Sequence, residues 1–485
     1  MNKWRMYVFL AAEALFFSGC NFFQTSLAEY LHDTGTTAGA GQTPPNLRLA
    51  ELYVTYNGGR YSPVEPLDEI RDTFTIFVPP ASLAASGSVP LTAVPAVASS
   101  TVTTSGSLFM PLRAVVLIEG KFFTRYRNDR TILITVTTAE GLSKAYTVTA
   151  IWAEFITRQE ELAAIGTDTA KLGQDYYLKP GSLFAVSNWV PIGAAGDYSS
   201  GNAFTGSVRG NGSVIQVNSF KNPPSSPVQN QGVFLRLQNA GIEDLHVHLA
   251  GGPVNTGALN AGGLAGTAEN SFIWRVKVSG IIRNDVTAGS NSVHTGGIAG
   301  LLSKGALVAD SLSAVEVRSR VSTSAEHYIG GITGWQEAAS GGFIFKSCSR
   351  GNVIAEGVPP ADTPGTVGGI TGGGGNMINT SVMGCVVLAG ALRAEIASSS
   401  PGSVNRILGR WSGPTLSAYN TYNYYNSALD MPGAITGSPS GLGGIEGTPR
   451  SLSLLQTRTE YEALGWDFTA IWKMGPDSYP VLMWE

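Results

Sequence analysis

The sequence predicts an all-β protein in which an N-terminal β-sandwich precedes a parallel β-helix, a solenoid closed by short capping helices. Three observations lead to this fold class. A glycine-rich pentapeptide recurs at a nearly fixed period, and each copy is followed by a run with strand-like alternation. Glycine is abundant and charge is scarce, with 60 glycines and 14% charged residues in 485. A nearly fixed period of 34 to 38 residues is typical of a solenoid.

The pentapeptide reads Gly-Gly-aliphatic-small-Gly and occurs four times, with steps of 34, 34 and 38 residues between first glycines. Glycine suits these positions either because the chain must turn with positive φ or because another backbone approaches closely. The aliphatic third residue, such as Ile332 or Ile370, is expected to point into a shared core. The structural-repeat glycines are Gly262, Gly263, Gly266, Gly296, Gly297, Gly300, Gly330, Gly331, Gly334, Gly368, Gly369 and Gly372.

A β-rich run follows each pentapeptide. In the first run, Trp274, Val276 and Val278 alternate with Arg275 and Lys277, which is typical of a strand with one buried face. Stacked at one strand per coil, these runs would pair in parallel. The runs are Phe272–Val278, Ala314–Val321, Phe343–Val353 and Val382–Leu392.

Further segments fall into the same register and carry a family resemblance. They are Trp189-Val190-Pro191-Ile192-Gly193, Phe204-Thr205-Gly206, Gly210-Asn211-Gly212-Ser213-Val214-Ile215, Gly232-Val233-Phe234-Leu235 and a worn copy at Arg406-Ile407-Leu408-Gly409. Together with the pentapeptides, they resemble GLUG-motif repeats, which occur in bacterial surface proteins and imply parallel β-helix coils. The resemblance covers roughly residues 180–450. The alternative is glycine-rich low complexity, against which the regular aliphatic third position argues.

The N-terminus is interpreted as a targeting segment. Lys3 and Arg5 precede a short apolar stretch, Met6–Phe17, which is too short to span a bilayer. Its ending, up to Cys20, resembles a lipoprotein signal peptide with a relaxed lipobox, although Glu13 interrupts the apolar run. The resemblance implies a lipoprotein signal peptide over residues 1–20 that is cut before Cys20. The thiol of Cys20 would then carry a diacylglycerol, with palmitate among its acyl chains, and a flexible tether would follow over 21–46. The alternative is an ordinary secretory signal with a chance cysteine.

Residues 47–152 are predicted to form the sandwich, because short alternating strands with turn signals between them are typical of that fold. The stretch from Ile134 to Thr149 resembles the closing strands of the cadherin-like domain of bacterial surface proteins, without an Asp-rich calcium motif. An unrelated immunoglobulin-like sandwich is the alternative. The candidate strands are Leu47–Tyr56, Phe74–Val78, Val89–Val97, Ala114–Glu119, Thr131–Thr137 and Tyr146–Trp152.

Two short helices are predicted at the ends of the solenoid, which needs caps over its apolar cross-sections. The first lies in 153–190, with Thr157 and Glu160 as a capping box and Gly166 at its end. The GLUG-repeat β-helix then covers 191–450. The second helix, after Thr457, opens a C-terminal cap at 451–485. The aromatic residues of that last stretch indicate either a packed cap or a ligand-binding patch.

No catalytic or metal-binding constellation stands out, and no cofactor is expected. GLUG repeats also occur in IgA-cleaving zinc peptidases, but this sequence has no His-Glu-x-x-His motif. His246 and His248 would share one face of a strand, yet zinc needs three or four ligands. The charged residues after the repeats stand at unmatched offsets from the glycine pairs, so they do not predict a stacked catalytic cluster. These are Arg275, Lys277, Glu316, Arg318 and Arg350.

Cys348 and Cys385 lie 18 and 17 residues after the first glycines of their repeats, so they are predicted to occupy equivalent rungs. Adjacent parallel strands are about 4.8 Å apart, which permits a disulfide. Inward side chains that are stacked in parallel would strain the bond, however. We therefore expect two neighbouring, buried, reduced thiols, with a disulfide as the alternative.

These observations favour a non-enzymatic protein of the cell envelope, anchored by lipid to the outer membrane on an undetermined face. It would act in binding or adhesion, with a host matrix protein, an envelope protein or a polysaccharide as partner. The formal net charge of −4 and the lack of a basic stripe argue against nucleic acid. The alternative is a carbohydrate-active enzyme, a lyase or hydrolase built on a β-helix.

Overall fold

The computed structural model is an all-β protein with a few short helices, and its larger part is a parallel β-solenoid of about five turns. The predicted signal peptide, Cys20 and the tether at 21–46 lie outside the residues that the structure describes. The described residues are 47–56, 59–68, 71–78, 88–105, 108–109, 113–118, 121–126, 129–193, 202–221, 228–287, 292–321, 326–337, 341–357, 365–375, 381–395, 403–411, 422–431 and 446–485.

Two sheets share one apolar core in the N-terminal part. Ile132, Ile134 and Val136 lie on one buried face, as their alternation predicted. One sheet contains Gly59–Tyr61, Leu49–Tyr56 and Leu91–Pro95, and the other contains Thr73–Phe77, Ser143–Ile151, Asp129–Thr137 and Thr101–Thr104. Two further strand pairs are Ser88–Val89 with Leu108–Phe109, and Arg113–Ile118 with Lys121–Tyr126.

The first helix is Gln159–Ile165, and its capping box lies one residue later in the sequence than predicted. Glu161, not Glu160, accepts hydrogen bonds from the backbone N–H groups of Thr157 and Arg158, at 2.9 and 3.1 Å. The N-cap is Arg158, and Glu161 is therefore the residue at the third helical position, where a capping carboxylate can reach back. Gly166 ends the helix with a right-handed φ of −72°. A 3₁₀ turn follows at Thr169–Lys171.

Within the described residues, seventeen strands form one long parallel sheet along the solenoid, which we call the long sheet. Its strands, in spatial order, are Glu154–Ile156, Tyr176–Leu178, Leu183–Val186, Ser207–Val217, Gly241–Thr256, Phe272–Trp274, Lys277–Val286, Ala306–Ala309, Leu312–Val321, Gly342–Phe345, Cys348–Ser349, Val353–Gly357, Ser381–Met383, Val386–Val387, Leu392–Glu395, Tyr424–Asn426 and Thr448–Arg450.

Two six-stranded parallel sheets, which we call the glycine sheets, complete the coils and meet at the pentapeptides. Gly262, Gly296, Gly330 and Gly368 pair in register from coil to coil, so the repeat sets the register as predicted. One glycine sheet contains Val228–Gln231, Ala258–Gly262, Val293–Gly296, His327–Gly330, Gly365–Gly368 and Ser403–Asn405. The other contains Phe234–Gln238, Ala265–Glu269, Ala299–Ser303, Thr333–Gln336, Thr371–Gly374 and Leu408–Trp411.

Close packing, rather than positive φ, explains the second glycine of the pentapeptide. A Cβ atom on Gly297 would lie 2.1 Å from Ser313 Oγ and 2.3 Å from the carbonyl oxygen of Gly331, and the φ of Gly297 is not positive. The next coil repeats the arrangement, because a Cβ on Gly331 would lie 2.0 Å from Ser349 Oγ. The long sheet therefore packs directly, across the core, against the bend at the second glycine of each pentapeptide, which we call the glycine corner. The third residues, Ile332 and Ile370 among them, are fully buried, as predicted.

The two cysteines are buried and unbonded, as expected, but the prediction of equivalent rungs is wrong. Cys348 pairs in register with Val386, which leaves Cys385 one position away, beside Ser347. Because a shift of one residue reverses the face of a strand, the two side chains point in opposite directions. Cys385 belongs to the solenoid core, and Cys348 belongs to a cluster on the outer side of the long sheet.

We predict that both thiols react slowly in the folded protein. Burial raises the pKa of Cys348 and of Cys385 to about 12, so the reactive thiolate is scarce near neutral pH. In a variant with Cys20→Ser, a thiol reagent should label two groups per chain after denaturation without reductant. Rapid labelling of either thiol before denaturation would contradict the register described here, and a count of zero would show a disulfide.

Candidate functional site

Residues 451–485, which we call the C-terminal segment, lie along the outer face of the long sheet and not only across its last coil. The segment contains the helices Leu452–Leu455 and Arg458–Glu462 and an antiparallel pair, Trp472–Met474 with Pro480–Leu482. Tyr461, Trp466 and Trp472 pack on an apolar column of the long sheet. That column gives the segment an apolar surface to cover, and it contains Leu312, Cys348, Val386 and Tyr424.

Polar contacts hold the C-terminal segment across several coils. Trp466 Nε1 donates a hydrogen bond of 2.7 Å to the carbonyl oxygen of Gly384. Asp477 forms an ion pair with Arg350, and Glu485 forms one with Lys277, from which it is 208 positions distant in sequence. The indole of Trp484 lies 6.4 Å from the ring of His246, centre to centre. The segment therefore runs back from the late coils to the early ones.

A column of left-handed residues marks one bend of the long sheet beneath this segment. Asp244, Arg275, Asp310 and Lys346 have φ values of 54°, 52°, 46° and 46°, and they alternate in charge. The backbone N–H groups of Arg275 and Asp310 donate to carbonyl oxygens of the following coil, so the column is stacked. Left-handed backbone is unusual for arginine and lysine, and the stacking of the coils imposes it here.

The carboxylates of this column are partly buried and hydrogen-bonded. Asp310 accepts from Trp274 Nε1 at 2.9 Å and from Trp472 Nε1 at 3.4 Å, which ties the C-terminal segment to the bend. Burial raises the pKa of Asp310 and of Asp244, although Arg275 partly offsets the shift at Asp244. The column thus provides the charged groups beneath the C-terminal segment and a hydrogen bond that holds the segment in place.

The candidate site is a cleft of about 360 Å³ between this column and the C-terminal segment, which we call the C-terminal cleft. Its two walls differ in chemistry. The solenoid supplies polar groups, and the C-terminal segment supplies apolar side chains and an indole. The lining residues are Asn211, Gly212, Asp244, Arg275, Ala470, Ile471, Met483 and Trp484.

The polar wall is fixed by its own hydrogen bonds. Arg275 Nη2 lies 2.5 Å from Asp244 Oδ2, and the Arg275 guanidinium lies 3.7 Å from the centre of the Trp274 ring. Asn211 Nδ2 donates to the carbonyl oxygens of Leu178 and Arg209, at 2.9 and 3.2 Å. The wall therefore presents a neutralised ion pair and a carboxamide whose orientation is set by the backbone.

The histidine pair lies next to the cleft. His246 and His248 share one face of a strand, as predicted, and Ser279 Oγ of the next coil bridges them at 2.8 and 2.9 Å. Burial lowers the pKa of His246 to about 3, so its imidazole is neutral at physiological pH. Over the described ranges, no group of three or more His, Cys, Asp or Glu residues is placed to hold a metal ion.

The other charged candidates are not brought together in one site. Lys277 and Arg350 bind the C-terminal segment, whereas Arg318 pairs with Glu316 at 2.5 Å and with Glu356 at 3.3 Å. Each of these residues is thus part of an ion pair on the outside of the coils.

An aromatic cluster between the glycine sheets was not predicted from the sequence. Trp335 stacks on His294 with ring centres 5.9 Å apart, and it lies 4.4 Å from Tyr328. Its indole also packs over Gly373, where a Cβ would lie 2.6 Å from a ring carbon. The neighbouring coils therefore cover the Trp335 ring, so the cluster is interpreted as packing. The cluster could have been found from the sequence, because His294 and Tyr328 stand at equal offsets from successive glycine pairs.

Comparisons with known proteins found no family model that matches the chain and no curated protein that resembles it. Among the described helices, none combines the length and the apolar character that a membrane span requires.

Proposed function

We propose that the protein is a lipid-anchored cell-envelope protein that acts as a non-enzymatic binding or adhesion module. In this proposal, the repeats are of the GLUG type and the N-terminal part is a cadherin-like sandwich that serves as a spacer. The in-register glycine pairs support the first assignment, and the shared core of the two N-terminal sheets supports the second.

The observation that carries the binding role is the C-terminal cleft. Its polar wall belongs to three successive coils, and its apolar wall belongs to a segment held by ion pairs at Lys277 and Arg350. Such a surface is preorganised, so little side-chain freedom is lost when a ligand binds. The partner would be a polysaccharide, an envelope protein or a host matrix protein.

The alternative is a polysaccharide lyase or hydrolase, and Asp244 is the observation in its favour. A carboxyl group in a cleft with a raised pKa is a candidate general acid. Glycoside hydrolysis usually requires a second carboxylate at a defined distance. The neighbouring Glu243 is within 3.4 Å of Arg209, and Asp244 is paired with Arg275, which favours a structural ion-pair network over catalysis.

We predict acylation at Cys20, which can be checked by mass spectrometry of the native N-terminus. The protein should partition into detergent, and Cys20→Ala should move it into the aqueous phase. Protease treatment of intact cells then decides the face of the membrane. A mature chain that begins elsewhere, or an unmodified cysteine, would contradict the lipid anchor.

A further inference from the structure

We propose that the C-terminal cleft binds a neutral sugar ring of the pyranose type, as a residue of a glycan. This inference rests on the proposed binding function and specifies its ligand. Three features of the cleft lead to it: its charge balance, its hydrogen-bonding groups and its apolar wall.

The charged side chains on the solenoid side of the cleft form ion pairs. Arg275 pairs with Asp244, Arg209 pairs with Glu243, and Lys277 pairs with Glu485. A charged ligand could pair with one of these side chains only by displacing its present partner, at a site that is partly buried. A neutral ligand has no such competition, so the surface favours uncharged polar groups over a carboxylate or an amine.

The hydrogen-bonding groups of the polar wall include both donors and acceptors. Arg275 retains N–H groups on its Nη atoms beyond the one that Asp244 binds. Asp244 Oδ1 and Asn211 Oδ1 have no hydrogen-bond donor among the described residues, so they can accept from a ligand. A hydroxyl group can both donate and accept, and several adjacent hydroxyls match such a mixed wall.

The opposite wall suits the C–H face of a ring. Ile471, Met483 and Trp484 lie side by side there, and Met483 is 39% exposed although it is a large apolar residue. A pyranose has an apolar face and a hydroxylated rim, so it can contact both walls at once. The volume of about 360 Å³ is at the low end of small-molecule sites, which suits a single small ligand rather than an extended chain.

The test is saturation-transfer NMR on the full chain with Cys20→Ser. The neutral probes are methyl α-D-glucopyranoside, methyl β-D-galactopyranoside and methyl N-acetyl-β-D-glucosaminide. Glucuronate and glucosamine are the charged probes, and N-acetyl-trialanine amide represents a peptide partner. We expect saturation transfer to at least one neutral sugar. Transfer to the charged probes and to the peptide should be weaker or absent.

Two cleft variants and one matched control complete the design. Met483→Ala and Asp244→Asn should each weaken sugar binding about tenfold, which corresponds to about 1.4 kcal/mol. Leu452→Ala is the control, because Leu452 is 40% exposed on the same segment but does not line the cleft. If Asp244→Asn does not fold, as judged by circular dichroism, Met483→Ala alone decides.

Three results would overturn the inference: no transfer to any neutral sugar, preferential transfer to a charged probe or to the peptide, or an equal loss of binding in Leu452→Ala. None of these bears on acylation at Cys20 or on the proposed envelope location. The ligand class and the proposed function can therefore fail separately.

Discussion

Replacing Gly297 with alanine should destabilise the solenoid by about 3 kcal/mol or more, because the new methyl group has no room. Its Cβ would lie 2.1 Å from Ser313 Oγ and 2.3 Å from a backbone oxygen of the next coil. A side chain can rotate away, but the carbonyl oxygen of Gly331 cannot move without disturbing its own coil, because Gly331 lies in the short bend between the paired strands His327–Gly330 and Thr333–Gln336. The measurement is the urea midpoint of the unfolding transition.

Gly241→Ala is the matched control for this substitution. Gly241 is likewise a glycine of the solenoid, at the start of the strand Gly241–Thr256, but its new Cβ would meet only Ser207 Cβ at 3.7 Å, which is ordinary contact. Its midpoint should stay close to that of the wild type. If Gly297→Ala were as stable as Gly241→Ala, the close approach of the long sheet to the glycine corner would be disproved.

Replacing Ile332 with aspartate should unfold the coils around it. The side chain is fully buried, so the change removes about 1.5–3 kcal/mol of apolar burial and places a carboxylate in the core at a further cost of several kcal/mol. Hydrogen exchange followed by mass spectrometry should show lost protection over 293–374, while residues 47–152 keep theirs. The two parts have separate cores, which is the reason to expect this division.

Leu183→Asp provides the comparison, because Leu183 lies on a strand of the same solenoid but is 61% exposed. Its exchange pattern should match that of the wild type. A protected solenoid in Ile332→Asp would mean that the third residue of the pentapeptide is not a core position.

Much of the solenoid could be predicted because its causes are local and repeated. A glycine that leaves no room for a Cβ, followed two residues later by a buried aliphatic, recurs in four successive coils and sets their register. The same regularity misled the interpretation of the cysteines. Offsets of 18 and 17 look equivalent in sequence, but the difference of one residue places Cys385 in the core and Cys348 on the outside.

The candidate site could not be predicted because its residues are distant in sequence and meet only through the register. Asn211, Asp244 and Arg275 come from successive coils, and Trp484 reaches them because the C-terminal segment folds back. The alternating charges at one bend were present in the sequence. Of these charged residues, only Arg275 was a candidate from the sequence, because offsets from the glycine pairs do not reveal which residues adopt a left-handed backbone. Ser279, which bridges the two histidines, could not be predicted either, because it belongs to the next coil and meets them only through the register.

The position of the C-terminal segment is tested most directly by a double-mutant cycle on Lys277 and Glu485. These residues form an ion pair only if the C-terminal segment runs back along the side of the coils and closes the cleft. Lys277→Glu and Glu485→Lys should each lower the free energy of unfolding, because each places like charges together. The double exchange should recover most of the loss, with a coupling of about 0.5–3 kcal/mol. Strictly additive losses would show that the segment lies elsewhere and would contradict the site described here.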